Sequence, residues 1–309
     1  MVERRTLVFE HELLAGEEHP LFDARGDKDG PTLCLLAGIH GCEYSSIAAV
    51  IRFMAELDTT RLAGRIVALP VASRLSFEQR SPFVVPADGK NLNRSFPGSF
   101  DGTYTDVLAR SIFEALIAPA DVLVDLHGGD LAEDLEPFSI YVESPVADRA
   151  HALAVAFGLP YVVREPAGDA LVGMTAGAAA AAGIPGIIAE AGGRGLLEQH
   201  AVSLLQGGLH NVLVHLEMLP GEPVEPPPAQ LVERFVWLRS THGGWWEPTV
   251  SRGAQVREGQ TVGHVRDLWG AVVEVVVATC DGVALFITSS PAVSDDGLLL
   301  GLGSELRVL

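Results

Sequence analysis

The sequence predicts a three-layer α/β/α fold on a mixed, mostly parallel sheet, followed by a small all-β module at the C-terminal end. Three observations carry this expectation. Short apolar runs alternate with segments whose apolar residues recur at helical spacing. Such alternation places helices on both faces of a sheet. After Pro220-Gly221-Glu222-Pro223-Val224-Glu225-Pro226-Pro227-Pro228, a stiff connector, the composition turns to valine runs broken by Gly and Asp turns. That pattern marks a compact β unit. The expected division is an α/β domain over residues 1–222 and a β module, barrel- or sandwich-like, over 229–309.

Taken in order, Thr6-Leu7-Val8-Phe9 reads as an edge strand, and Gly26-Asp27-Lys28-Asp29-Gly30 as a turn. Pro31–Ala37 is a buried strand. Ile47, Val50, Ile51 and Met54 give the helix over 44–57 its apolar face. A strand covers 64–71. Residues 72–99 have few periodic signals and several prolines, and read as a long functional loop. Leu108, Ile112, Phe113 and Leu116 line one face of a helix over 106–117. Strands at 120–126, 139–142, 161–163 and 186–190 alternate with helices at 146–157, 174–182 and 196–219. In the last segment, Gly253 to Gly263 resembles the turn pattern of biotinyl- and lipoyl-type barrels. Such carriers present a modifiable lysine, and no lysine follows Lys90, which excludes that role. The module is expected to shape a pocket entrance or an oligomer contact.

Composition narrows the function. The chain has 309 residues, 48% of them hydrophobic, enough for a large core. No apolar run approaches the roughly 18 residues of a membrane span, and the first residues do not form a signal core. A cytoplasmic protein is expected. Cys34, Cys42 and Cys280 are too scattered for a disulfide framework. A net charge of −19 argues against nucleic acid and anionic membranes as partners. Lys28 and Lys90 are the only lysines. With the abundant alanine and glycine, this points to a GC-rich bacterial gene.

The chemistry begins at Gly38-Ile39-His40-Gly41-Cys42-Glu43. His40 and Glu43 are three residues apart, and on a first helical turn such positions share a face and can reach one metal ion. Glycines 38 and 41 allow a tight turn and leave room beside the side chains. Cys42 is a rival ligand, but beside Glu43 it would face elsewhere. The strand over 120–126 ends on His127-Gly128-Gly129, and strand C-termini open on the crevice where α/β sheets bind ligands. His40, Glu43 and His127 make a two-His, one-Glu set, the ligand number of a catalytic zinc site that keeps one position open. Gly186-Ile187-Ile188-Ala189 ends on Glu190, followed by glycines 192 and 193. A carboxylate there can accept a proton from an activated water.

Between these ligands lies Asn91-Leu92-Asn93-Arg94-Ser95-Phe96-Pro97-Gly98. Arg94 offers a planar fork that matches a carboxylate, and Asn93 adds neutral donors. Upstream, Arg80 could polarise a scissile carbonyl. The alternative for both arginines is pairing with the abundant surface acids.

Gly-x-His-Gly-x-Glu, Asn-Leu-Asn-Arg-x-Phe-Pro-Gly, Asp-Leu-His-Gly and Glu-x-Gly-Gly, in this order over about residues 30–195, resemble the succinylglutamate desuccinylase/aspartoacylase family, a branch of the zinc carboxypeptidase superfamily. The resemblance implies one zinc ion held by His40, Glu43 and His127. It implies Asn93 and Arg94 as substrate-carboxylate binders, Glu190 as general base, and an arginine ahead of the Asn-Arg pair that polarises the carbonyl. Arg80 matches that last position by order, although its spacing to Arg94 varies among members.

The expected activity is zinc-dependent hydrolysis of a small N-acyl amino acid, with a homo-oligomer possible. One alternative is a carboxypeptidase with the same machinery, which needs an open cleft where a deacylase needs a narrowed entrance. A non-catalytic metal- or metabolite-binding protein would instead place Glu190 far from the metal.

Overall fold

The computed structural model describes residues 1–168, 173–224 and 228–309. Glu225, Pro226 and Pro227 of the proline-rich connector lie outside the described residues. The chain runs β1 (Val2–Leu7), β2 (His19–Arg25), β3 (Lys28–Ala37), α1 (Tyr44–Glu56), β4 (Ala63–Leu69), α2 (Arg74–Gln79), α3 (Tyr104–Ile112), β5 (Val122–His127), β6 (Glu133–Val142), α4 (Ala147–Phe157), β7 (Tyr161–Glu165), α5 (Thr175–Ala181), β8 (Gly186–Gly193) and α6 (Gln199–His215). Then come β9 (Gln230–Arg239), β10 (Gly244–Pro248), β11 (Gln255–Val256), β12 (Thr261–Arg266), β13 (Val272–Val277), β14 (Gly282–Thr288), β15 (Ala292–Val293) and β16 (Leu298–Val308).

Twelve strands form one mixed sheet in the order β1-β2-β4-β3-β5-β8-β6-β7-β9-β16-β14-β11. Its centre, β4-β3-β5-β8, is parallel. Alternate side chains of a strand point to opposite faces. Leu33, Leu35 and Ala37 of β3 therefore join the core under α1, α4 and α6. Cys34 and Leu36 join the core under α3 and α5. These two cores make the α/β/α layers.

β6 runs antiparallel to β8, and β14 pairs back onto β6. With β7, β9 and β16, these strands close a ring of five. Strands from the C-terminal segment thus continue the main sheet, while β13-β12-β10-β15 form a separate antiparallel sheet. Trp246 of β10 is buried in the core beneath it, its Nε1 donating to the Thr288 carbonyl at 3.0 Å. Trp245 points the other way and is half exposed.

Two elements depart from the sequence expectation for physical reasons. β2 was masked by Pro20 and the charged Asp23, yet Asp23 is buried because Arg65 grips it with two 2.8 Å hydrogen bonds. The 72–99 loop contains α2 and a 3-10 turn over Leu92–Arg94, both too short to show a period. Among the described residues, no helix is long and apolar enough to cross a membrane.

Helix α6 supplies a test of its packing. A Cβ at Gly208 would lie 2.1 Å from Cε1 of Phe157, a buried ring of α4, whereas a Cβ at Gly207 meets nothing within 4 Å. Helix propensity favours alanine at both positions by about 1 kcal/mol, but overpacking costs about 1–3 kcal/mol. Gly207→Ala is expected to stabilise and Gly208→Ala to destabilise the fold in urea unfolding. The same sign for both would contradict the close α4–α6 approach.

Candidate active site

The first two candidate ligands, His40 and Glu43, sit in a turn just before α1, not on its first helical turn. Gly38 takes a positive φ of 65° as the chain leaves β3. The Glu43 amide donates to the His40 carbonyl at 3.4 Å, and this turn brings residues i and i+3 together as a helix would. Gly41 is pressed against α2: a Cβ there would lie 2.1 Å from the Phe77 nitrogen. Glu43 caps α1 without using its side chain for the cap, so both carboxylate oxygens remain for the site. The positive end of the helix dipole also favours a carboxylate here.

Both histidines turn Nδ1 toward Glu43. His40 Nδ1 lies 2.6 Å from Oε1, and His127 Nδ1 lies 3.0 Å from Oε2. The outer nitrogens are anchored. His40 Nε2 is 3.1 Å from Asn91 Oδ1, and His127 Nε2 is 3.0 Å from Asp125 Oδ2. Thr175 Oγ1 donates to the same Asp125 oxygen at 2.5 Å. Anchors of this kind fix ring orientation and tautomer in metal sites. The three potential ligand atoms lie within 4.8 Å of one another.

The electrostatics fit a cation. Burial alone would lower the pKa values of both imidazoles, but Glu43 raises His40, and Asp125 with Glu43 raises His127 well above its usual range. Burial opposes ionisation of Glu43, yet the two imidazoles hold its pKa far below the ordinary carboxylate value. The donor set thus concentrates negative charge that protons must otherwise balance. His40, Glu43 and His127 would hold a divalent cation that would replace those protons, as metal binding does generally. Glu43 Oε2 otherwise has no hydrogen-bond partner among the described residues. Cys42 is buried and stands outside this set, its thiol facing Tyr44 and Asp130.

Glu190 is the register partner of His127 across the parallel β5–β8 pair. Its Oε2 is buried without a partner among the described residues. Burial raises its pKa well above the usual carboxylate range; His127 opposes this, and Glu43, Glu133 and Asp125 add to it. Glu133 lies nearby at the start of β6, pushed up to about 7 chiefly by burial.

These groups line a cavity of about 270 Å³. Asn93 and Arg94 are on its wall. Asn93 is buried, and its Oδ1 accepts from the Thr175 amide at 3.1 Å, which leaves the amide NH2 free of that contact. Arg94 is exposed toward the cavity, steadied by a 2.8 Å bond from Nη1 to the Asn93 carbonyl. Arg80 is elsewhere: it is exposed at the C-terminal cap of α2, and Phe83, three residues on, lines the cavity instead. A bulge in β6 between Leu135 and Phe138 keeps Phe138 and Ile140 on the cavity wall with Leu135. Phe235 and Trp237 of β9 and Phe286 of β14 complete that wall.

Sequence reasoning overlooked several of these groups. Asp125 stands two residues before His127 on one strand, and strand alternation could have identified it. Glu165 ends β7 as Glu190 nears the end of β8, the same strand-end signal. Nothing local pointed to Phe235, Trp237 or Phe286, which reach the cavity through long-range strand pairing.

The model of the succinylglutamate desuccinylase/aspartoacylase catalytic domain matches residues 29–216. The N-alpha-acetyl-L-2,4-diaminobutyric acid deacetylase of Halomonas elongata is 32% identical over 251 residues, covering 78% of this chain and 72% of that protein. The product-bound ectoine utilization protein EutE (DoeB) of Ruegeria pomeroyi has a TM-score of 0.87 at 25% identity, over 98% of this chain and 94% of that one. A succinylglutamate desuccinylase from a Silicibacter species has a TM-score of 0.86 at 27% identity, over 98% and 95% of the two chains. With its four motifs gathered around one cavity, the chain belongs to the succinylglutamate desuccinylase/aspartoacylase family.

Proposed function

We propose that this metal-dependent deacylase uses zinc to release acetate from an N-acetylated amino acid, with N-acetyl-2,4-diaminobutyrate as the favoured substrate. The observation that carries the chemistry is the register of His127 with Glu190, which sets a buried carboxylate beside the His40–Glu43–His127 donor set. The substrate class is supported by the similarity to the Halomonas elongata deacetylase and by the cavity's size. About 270 Å³ is small even for a small-molecule site and suits an acetylated amino acid better than a peptide.

The donor set of two neutral imidazoles and one carboxylate suits zinc, which when bound supplies Lewis acidity toward water and the scissile carbonyl. Glu190 accepts the proton of the attacking water and returns it to the leaving nitrogen. A raised pKa suits a group that must hold that proton between the two steps. Asn93 and Arg94 bind the substrate carboxylate and so set the amide against the donor set. Among the described residues, Arg94 is the single guanidinium on the cavity wall. Arg80 has no part in this proposal, because its exposed side chain does not line the cavity. We assign residues 229–309 the role of narrowing the entrance, supported by Phe235, Trp237 and Phe286 on the wall. That narrowing disfavours the carboxypeptidase alternative.

Mass-spectrometric turnover of N-acetyl amino acids and short peptides tests the proposal. Acetate release from N-acetyl-2,4-diaminobutyrate should exceed peptide cleavage. Glu190→Gln should keep the metal and lower turnover by roughly 10²- to 10⁴-fold. Near-normal turnover in that variant would assign the proton to another group, and dominant peptide cleavage would restore the carboxypeptidase reading.

Arg94→Lys should raise KM for carboxylate-bearing substrates more than it lowers kcat, since an ammonium cannot reproduce the guanidinium fork. An unchanged preference for free-carboxylate over amidated substrates would remove Arg94 from substrate binding.

A further inference from the structure

Among the described residues, four carboxylates line the cavity, those of Glu43, Glu133, Glu165 and Glu190, against the single guanidinium of Arg94. Glu43 belongs to the metal donor set and Glu190 to proton transfer. Glu133 has a structural bond: its Oε2 accepts from the Asp130 amide at 3.0 Å. Glu165 has no such employment. Among the described residues, no hydrogen bond or ion pair engages its carboxylate.

Its placement follows from strand geometry. On β7, Val163 and Glu165 share the cavity face, while Arg164 points away to Glu143 and Glu233. Glu165 is half-buried, and the charge that acts on it is Arg94, which lowers a pKa that burial raises. Arg94 in turn feels both Glu165 and Glu190. The metal-side acids act on Glu190 and not on Glu165. Glu165 therefore belongs to the Arg94 side of the cavity, away from the donor set.

This arrangement suits one charge pattern. A substrate carboxylate at Arg94 sits beside an anion at Glu165. A second substrate carboxylate would meet Glu165 with no further guanidinium to offset it. A substrate ammonium would pair with Glu165 and leave Arg94 to the carboxylate.

We propose that Glu165 is the binding residue for a protonated amine on the substrate's amino-acid side chain, so that the cavity selects zwitterionic N-acyl diamino acids over N-acyl dicarboxylic ones. The assignment rests on the deacylase reading of the site and adds to it the residue that reads the second amine. Glu165 takes no part in bond breaking and contributes charge and position only.

The test compares 2,4-diaminobutyrate with norvaline, which carries a methyl group in place of the side-chain ammonium. Calorimetric titration of the full-length, zinc-loaded protein should show tighter binding of 2,4-diaminobutyrate by about 10- to 100-fold, the worth of one charge-assisted hydrogen bond in a half-buried site. Glu165→Gln should abolish the preference without lowering norvaline affinity or zinc content. Glu165→Asp, which keeps the charge, should retain part of the preference and serves if the glutamine variant folds poorly. No preference in the unaltered protein, or one that survives in Glu165→Gln, overturns the proposal. Equal loss of affinity for both ligands also overturns it, because Glu165 would then only hold Arg94 in place. Turnover of the two N-acetyl derivatives separates this from the activity itself. Binding preference without turnover sinks the deacylase reading alone, and turnover without preference sinks the Glu165 assignment alone.

Discussion

The site depends on a buried carboxylate, Glu43, held between two imidazole nitrogens. An isolated carboxylate in such a place would be neutralised by its surroundings. Here each oxygen faces an Nδ1 atom, and each imidazole is fixed from behind, His40 by Asn91 and His127 by Asp125. The three donor atoms lie within 4.8 Å of one another, close enough for one cation to be shared among them. Asp125 binds Thr175 at the start of α5, and the Thr175 amide binds Asn93. The candidate donor set and the Asn93–Arg94 turn are therefore joined through one short helix end, and displacement of α5 would disturb both.

The parallel centre of the sheet brings the chemistry together, and the strands beyond it give the site its size. His40 and Glu43 follow β3, while His127 and Glu190 sit side by side on β5 and β8. The reversal at β6 and the closure of β14 onto it bring Phe138, Phe235, Trp237 and Phe286 to the same cavity. An apolar wall opposite a polar floor is the usual composition of a small-molecule site. The molecule's net charge of −19 does not decide what binds there, since the charged groups on the cavity wall act at shorter range than distant, screened surface acids.

The parts legible in the sequence were those coded locally. Gly38 to Glu43, Asn91 to Gly98, Asp125 to Gly128 and Glu190 to Gly193 each combine a strand end or turn with chemistry-bearing side chains, and the strand-helix alternation placed the first, third and fourth of them at strands of one sheet. Arg80 shows the limit of that approach. Order along the chain suggested it for the cavity, but the aperiodic segment around it reverses, with positive φ at both Arg80 and Phe83, and Phe83 lines the wall instead. The aromatic wall was invisible for another reason. It depends on β7–β9 and β6–β14 pairings between distant segments, and no local pattern records which strands meet.

The central claim is that His40, Glu43 and His127 together hold one catalytic zinc ion. X-ray absorption spectroscopy at the zinc edge of the loaded, full-length protein tests this most directly. The account predicts a nitrogen and oxygen shell at about 2.0–2.2 Å with the outer-shell scattering of two imidazoles. A sulfur scatterer at about 2.3 Å would place Cys42 in the shell, and an imidazole count other than two would contradict the ligand set.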